Sequence, residues 1–159
     1  KNLPTLLIAI TTAPSAASFG TNRNTCEKKF GIDSSITGFG IPLGLVMYKP
    51  STAISYLIIA LYFAESYHIP VSVYWILIAV IVTGILAVST PPIPGGALTA
   101  YTVIFLQLGI PSEALAVVLA VDVLLDFLCT GFDQFVLPYA LISEASRAGL
   151  LDTKILREK

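Results

Sequence analysis

The residues best able to do chemistry lie in AVDVLLDFLCTGFDQF, residues 120–135. Asp122, Asp126, Cys129 and Asp133 follow spacings of 4, 3 and 4. At roughly 100° per residue, a helix would place them in one narrow stripe. No Lys, Arg or His accompanies them in the stretch. A charge at the centre of a bilayer costs about 2.5–3.5 kcal/mol on insertion scales. Three acids on one face of an apolar helix therefore require a cationic partner, a polar cavity or bound protons. A purely structural hydrogen-bond seam between helices is the alternative. Lys49, in MYKPS, is the cation the sequence offers. Pro50 interrupts a helix there and frees carbonyls, and a buried Lys gives up its proton more readily than Arg. The expectation is that Lys49 pairs with Asp126 or Asp133 and stands where a metal cation would otherwise bind. Its alternative is a Lys49 that snorkels to an interface.

The elements that must position these residues belong in a bilayer. Hydrophobic residues make up 55% of the 159 and charged residues 12%, with a mean hydropathy of +0.84. A soluble domain carries about twice that share of charge. The net charge of −1 gives no electrostatic case for nucleic acid. Cys26 and Cys129 show no CxxC or zinc-like spacing and read as free thiols. One His and no convincing nucleophile–base set leave nothing to build an enzyme on. The chain starts at Lys1 without a visible signal peptide and reads as a piece of something larger.

An uncharged run from Ile69 to Ser112 fits two apolar segments separated by STPPIPGG. That connection has no charge and the second segment is short for a span, which favours a re-entrant hairpin with a Pro/Gly tip over an aqueous loop. LPTLLIAITTAPSAAS, too short to cross, runs into polar FGTNRNTCEKKFG and reads as another hairpin, with an amphipathic surface helix as the alternative. Between them, residues 34–67 read as a helix broken near Tyr48 to Ser51. The expected fold is all-α integral membrane, with two re-entrant helical hairpins, one discontinuous transmembrane helix and one Asp-rich transmembrane helix. As a single domain it divides into hairpin 1 (about 1–31), the broken helix (about 34–67), hairpin 2 (about 70–110), a last helix (about 112–143, kinked at Pro138) and a cytoplasmic tail (144–159). In this topology every Lys and Arg except Lys49 falls on one face, so the basic termini are expected in the cytoplasm and the chain in the cell (inner) membrane. Broken hairpins, a broken helix and a striped acidic helix are together the devices of a secondary transporter.

In order along the chain, a hairpin with a retained serine, a helix introduced by FGIPLG and broken at Tyr48–Thr52, an IPGG tip, and GIPSEALAVVLAVDVLLDFLCT together resemble the dicarboxylate/amino acid:cation symporters, the glutamate-transporter family. The resemblance covers nearly all of the chain but only the C-terminal transport core of a family member. It implies an alternating-access transporter of a small solute in the lipid bilayer, with N-terminal scaffold helices and a homotrimer as partners. The family's three serines fall on Pro14, Ser15 and Ala16, so Ser15 is implied to hold a substrate carboxylate. The second tip falls on Ile93, Pro94 and Gly95, with Thr90 in its cation-binding and gating segment. Asp122 matches a cation-site aspartate, Asp126 the aspartate that binds the substrate's amino group, and Thr130 a substrate-contacting threonine. Cys129 stands where members taking acidic substrates have arginine, which implies a small neutral amino acid; no cation is left to pair a side-chain carboxylate.

Departures from the family pattern bear on coupling. Its Asn-Met-Asp-Gly-Thr becomes Tyr48, Lys49, Pro50, Ser51 and Thr52, retaining only the last threonine. Asp133 replaces an asparagine that contacts the substrate carboxylate, and Leu137 replaces a cation-site aspartate. No cofactor and no certain metal site is implied, and coupling to Na+ or H+ is expected to be altered, with Lys49 or protons substituting. The alternative is a truncated, non-transporting membrane subunit that acts as an interaction partner.

Overall fold

The computed structural model describes residues 19–90 and 96–157. Among the described residues seven helices follow one another: α1 (Phe19–Lys29), α2 (Ser34–Met47), α3 (Pro50–Ser66), α4 (Val73–Ser89), α5 (Ala97–Leu108), α6 (Ala114–Ala148) and α7 (Thr153–Arg157). Among the described residues there is no strand, only an isolated bridge between Ile32 and Leu151. The sequence reads as one domain; the fold groups into two compact units, residues 1–48 with 130–159, and residues 49–129.

The boundaries follow local chemistry. The expected interruption of the first long apolar element falls at Tyr48 and Lys49. Pro50 is the first residue of α3, where its fixed φ suits a helix start and its missing N–H has no intrahelical partner anyway. Asp33 caps α2, accepting from the Ser35 N–H at 2.8 Å, and Ser72 caps α4, accepting from the Trp75 N–H at 3.1 Å. Gly109 and Gly149, both at φ 70°, end α5 and α6. The left-handed turn brings the Ile110 N–H to the Phe105 carbonyl and the Leu150 N–H to the Ala145 carbonyl, a stop that a residue with a Cβ resists. For that reason α6 ends at Ala148, beyond the end near 143 expected from hydropathy: the charged turn around Glu144 and Arg147 is still helical. Pro138 lies inside α6 without ending it.

In the unit of residues 49–129, α3, α4, α5 and the first half of α6 enclose a core of Tyr56, Ala60, Phe63, Ala79, Tyr101, Ile104, Phe105 and Val118. The Trp75 indole N–H donates to the Leu108 carbonyl at 3.1 Å, closing α4 against the end of α5. In the other unit, α1, α2, α7 and the second half of α6 gather Cys26, Phe30, Ile32, Ile41, Leu137, Leu141 and Ala145. There α2 meets α6 at glycines: a Cβ on Gly44 would lie on Leu137 Cδ1, and one on Gly40 would come within 2.6 Å of Leu141 Cδ2. Neither cysteine is in a disulfide. Burial, helped by the neighbouring Glu27 charge, pushes the Cys26 thiol up to about 12, which leaves it unreactive.

The stretch Ser34–Ser66 and helix α6 are each long and apolar enough to cross a membrane, and only 17% of each apolar window is buried. A core helix of a soluble domain would be mostly covered. Here Leu77, Ile81 and Ile85 on α4, and Val117, Val121 and Leu124 on α6, stand exposed, an outward-facing apolar surface that suits lipid. The first expected hairpin is represented by α1 and the turn after it, and its tip lies outside the described residues. The same holds for the tip of the second, between α4 and α5.

Candidate functional site

The acid-bearing helix sets the register of the site. Because α6 is continuous through residues 114–148, Asp122, Asp126, Cys129 and Asp133 share one of its faces. Asp122 and Asp133 are buried, and Asp126 and Cys129 half-buried. Asp122, Asp126 and Cys129 belong to one compact unit, Thr130 and Asp133 to the other.

Within the first of these units the acids line a narrow cleft whose free space is about 10 Å³, room for about one water. Thr52, Ser55 and Tyr56 come from α3, Ala97 and Tyr101 from α5, and Asp122, Leu125, Asp126 and Cys129 from α6. Thr52 and Tyr56, four residues apart on α3, reach it as neighbours on one helix face. The Tyr101 hydroxyl and the Asp122 carboxylate both line the cleft. The Tyr56 and Tyr101 rings pack edge to face with centroids 4.8 Å apart. Cys129 Sγ donates weakly to the Ser51 carbonyl at 3.8 Å. Among the described residues no cation lines the cleft.

Beside it, Lys49 and Thr90 meet. Lys49 Nζ donates to the Thr90 carbonyl at 3.4 Å. Thr90 caps the C-terminal end of α4, and its hydroxyl donates to the Leu86 carbonyl at 2.7 Å. That proton being used, the Tyr56 hydroxyl is the donor in the 3.2 Å contact with Thr90 Oγ1. The Lys49 charge also acts on Asp126. A direct hydrogen bond of Lys49 thus runs to the end of α4, an acceptor that sequence reasoning missed.

The structure thus brings together Lys49, Thr52, Thr90, Asp122, Asp126 and Cys129 of the residues singled out in the sequence. Ser15, Pro94 and Gly95 lie outside the described residues. Sequence reasoning also missed Tyr56 and Tyr101. Both are aromatics in apolar helices, and only their hydroxyls set them apart from core residues. Near Asp133, it missed a buried polar pair: Asn22 Nδ2 donates to Gln134 Oε1 at 2.9 Å, while Asn22 Oδ1 has no partner. Among the described residues no group of three or more His, Cys, Asp or Glu could hold a metal ion.

Residues 1–133 match the model of the Sodium:dicarboxylate symporter family. The chain is 22% identical over 145 residues to an excitatory amino acid transporter of Caenorhabditis elegans, covering 91% of this chain and 27% of that protein. It is 27% identical over 120 residues to human excitatory amino acid transporter 2, covering 76% of this chain and 21% of the relative. Mouse excitatory amino acid transporter 4 is 27% identical over 128 residues, covering 80% and 23%. The chain thus spans about a quarter of the length of the curated relatives it matches. With the family matched over most of its length, and with exposed apolar helices that suit a membrane, the chain belongs to the sodium:dicarboxylate symporter family.

Proposed function

We propose that this chain is the transport core of a secondary active transporter, symporter-like and alternating in access, for a small neutral amino acid or a related amine/carboxylate solute. The observation that carries this reading is the residue set of the cleft rather than its size, which admits about one water: two carboxylates and hydroxyl groups line it and, among the described residues, no cation does. A protonated amino group finds two carboxylates there, Asp122 and Asp126, against the single Lys49 charge that acts on Asp126, so the side-chain carboxylate of glutamate or aspartate would meet a net negative charge. Cys129 supports the same conclusion, since it stands where an arginine would serve an acidic solute. The relatives named above are excitatory amino acid transporters, and on this reading the present chain departs from them in solute. The family resemblance assigns roles in solute binding to Ser15, Thr130, Asp133, Pro94 and Gly95 as well. Coupling to sodium is weakened, because Tyr48, Pro50 and Leu137 occupy positions where the family has cation ligands; Lys49, or protons on Asp122 and Asp126, substitute. The two hairpins re-enter the membrane, the basic termini face the cytoplasm of a cell (inner) membrane, and scaffold helices and a homotrimeric assembly complete the transporter.

The test is a swap at one position. Cys129→Arg in the full-length protein should reduce binding of alanine or serine and admit aspartate or glutamate, read as solute-induced thermal stabilisation. A wild type stabilised by glutamate and indifferent to neutral amino acids contradicts the reading.

A further inference from the structure

We infer that the Lys49 ammonium is a built-in cation that holds the end of α4 against the start of α3, in the role a dissociable sodium ion would otherwise fill. The inference rests on the transporter reading above and specifies which group does the holding. Lys49 is the N-cap residue of α3, at φ −128° and ψ 55°, and it makes no side-chain cap. A cation is unfavourable at a helix N-terminus, where the backbone dipoles already present positive charge. Its position therefore needs compensation. The Thr90 carbonyl accepts from it, 3.4 Å from Nζ, at the C-terminal end of α4 where helix carbonyls lack intrahelical partners and the dipole is negative. The negative charge of the Asp126 carboxylate acts on it as well, through space. A positive charge placed between a helix C-terminus and a carboxylate is what a bound monovalent cation would provide.

The surroundings do not fit sodium. A sodium ion would need the Thr90 carbonyl, which an ammonium already engages. Of the residues flanking Lys49, Pro50 has no side-chain oxygen at all. Tyr56, on the same face of α3 as Lys49, fastens Thr90 a second time through its hydroxyl. Two side chains of one helix thus grip a single residue at the start of the connection to α5. Because the cation is covalently tethered, its local concentration does not depend on the sodium outside.

The experiment uses the full-length protein and the variants Lys49→Met and Lys49→Arg. Thermal stability without solute, and neutral amino-acid affinity, are measured in choline, sodium and methylammonium chloride. For wild type, sodium should leave ligand-free stability unchanged and alter solute affinity by less than about twofold. Lys49→Met should be less stable in choline, bind solute about tenfold more weakly, and recover partly in sodium or methylammonium, which occupy the vacated position. Lys49→Arg should remain indifferent to sodium. A wild type stabilised by sodium overturns the inference, as does a Lys49→Met protein that behaves like wild type in choline. If Lys49→Met does not fold, the wild-type sodium titration and Lys49→Arg decide. Ligand-free stability needs no solute, so a protein that binds no amino acid refutes the transporter reading while this comparison still judges Lys49.

Discussion

Asn22 shows what one buried polar atom can dictate. Its amide donates to Gln134 while its own oxygen has no partner, and both residues are almost completely buried. Gln134→Leu should strand the Asn22 amide as well and cost about 1–3 kcal/mol, whereas the double variant Asn22→Leu/Gln134→Leu should return close to wild type or above it. A thermal double-mutant cycle reads both. Glu27 makes a second prediction. It accepts from the Thr37 hydroxyl at 2.7 Å and the Arg23 guanidinium at 2.8 Å, which hold its carboxyl below the ordinary value of 4.5. The folded state binds that proton less tightly than the unfolded chain does. The stabilisation is therefore present above the ordinary value and is lost as pH falls through the depressed one. Glu27→Gln should lower stability at neutral pH and flatten the acid limb of the stability curve below pH 4.5. At this scale the sequence was uneven. Asp122, Asp126 and Cys129 were legible because helical spacing and the expense of charge in lipid single them out. Asn22 and Gln134 were not, because two residues 112 positions apart leave no periodic signal of their contact.

Helix breaks and close approaches govern the elements. The interruption at Tyr48 and Lys49 was legible because proline restricts its predecessor and its own ring fits only a first turn. The longer C-terminal end of α6 was not, since hydropathy falls at Glu144 while backbone hydrogen bonding continues to the left-handed Gly149. The short helix α7 was missed too. It depends on Asp152, whose carboxylate accepts from the Lys154 N–H at 2.9 Å, and on the bridge at Leu151. The FGIPLG stretch now has a packing reason for its glycines. Gly44→Ala should destabilise by about 1–3 kcal/mol, because the added methyl must displace the buried Leu137. Gly84 in α4 faces open space at an ordinary helical φ, so Gly84→Ala should stabilise by about 0.5–1 kcal/mol. Opposite signs for one added methyl, read by thermal unfolding, separate close helix approach from helix propensity.

At the scale of the whole molecule, composition alone placed the chain in a bilayer, and the exposed apolar faces of α4 and α6 agree with it. Charge pattern led to an orientation with cytoplasmic basic termini, a separate expectation that accessibility labelling of a cysteine placed near Arg147 would test from each side of the membrane. Division into two compact units was not legible, because α6 contributes to both and no break in its hydropathy marks the border. The central claim, a core built for a neutral solute within a family whose relatives include excitatory amino acid transporters, is a property of the whole transporter. Its most direct test is uptake by the full-length protein in proteoliposomes, comparing radiolabelled alanine and serine with glutamate and aspartate under identical gradients. The account predicts saturable uptake of the neutral amino acids and little of the acidic ones; saturable glutamate uptake that excess alanine fails to inhibit would contradict it.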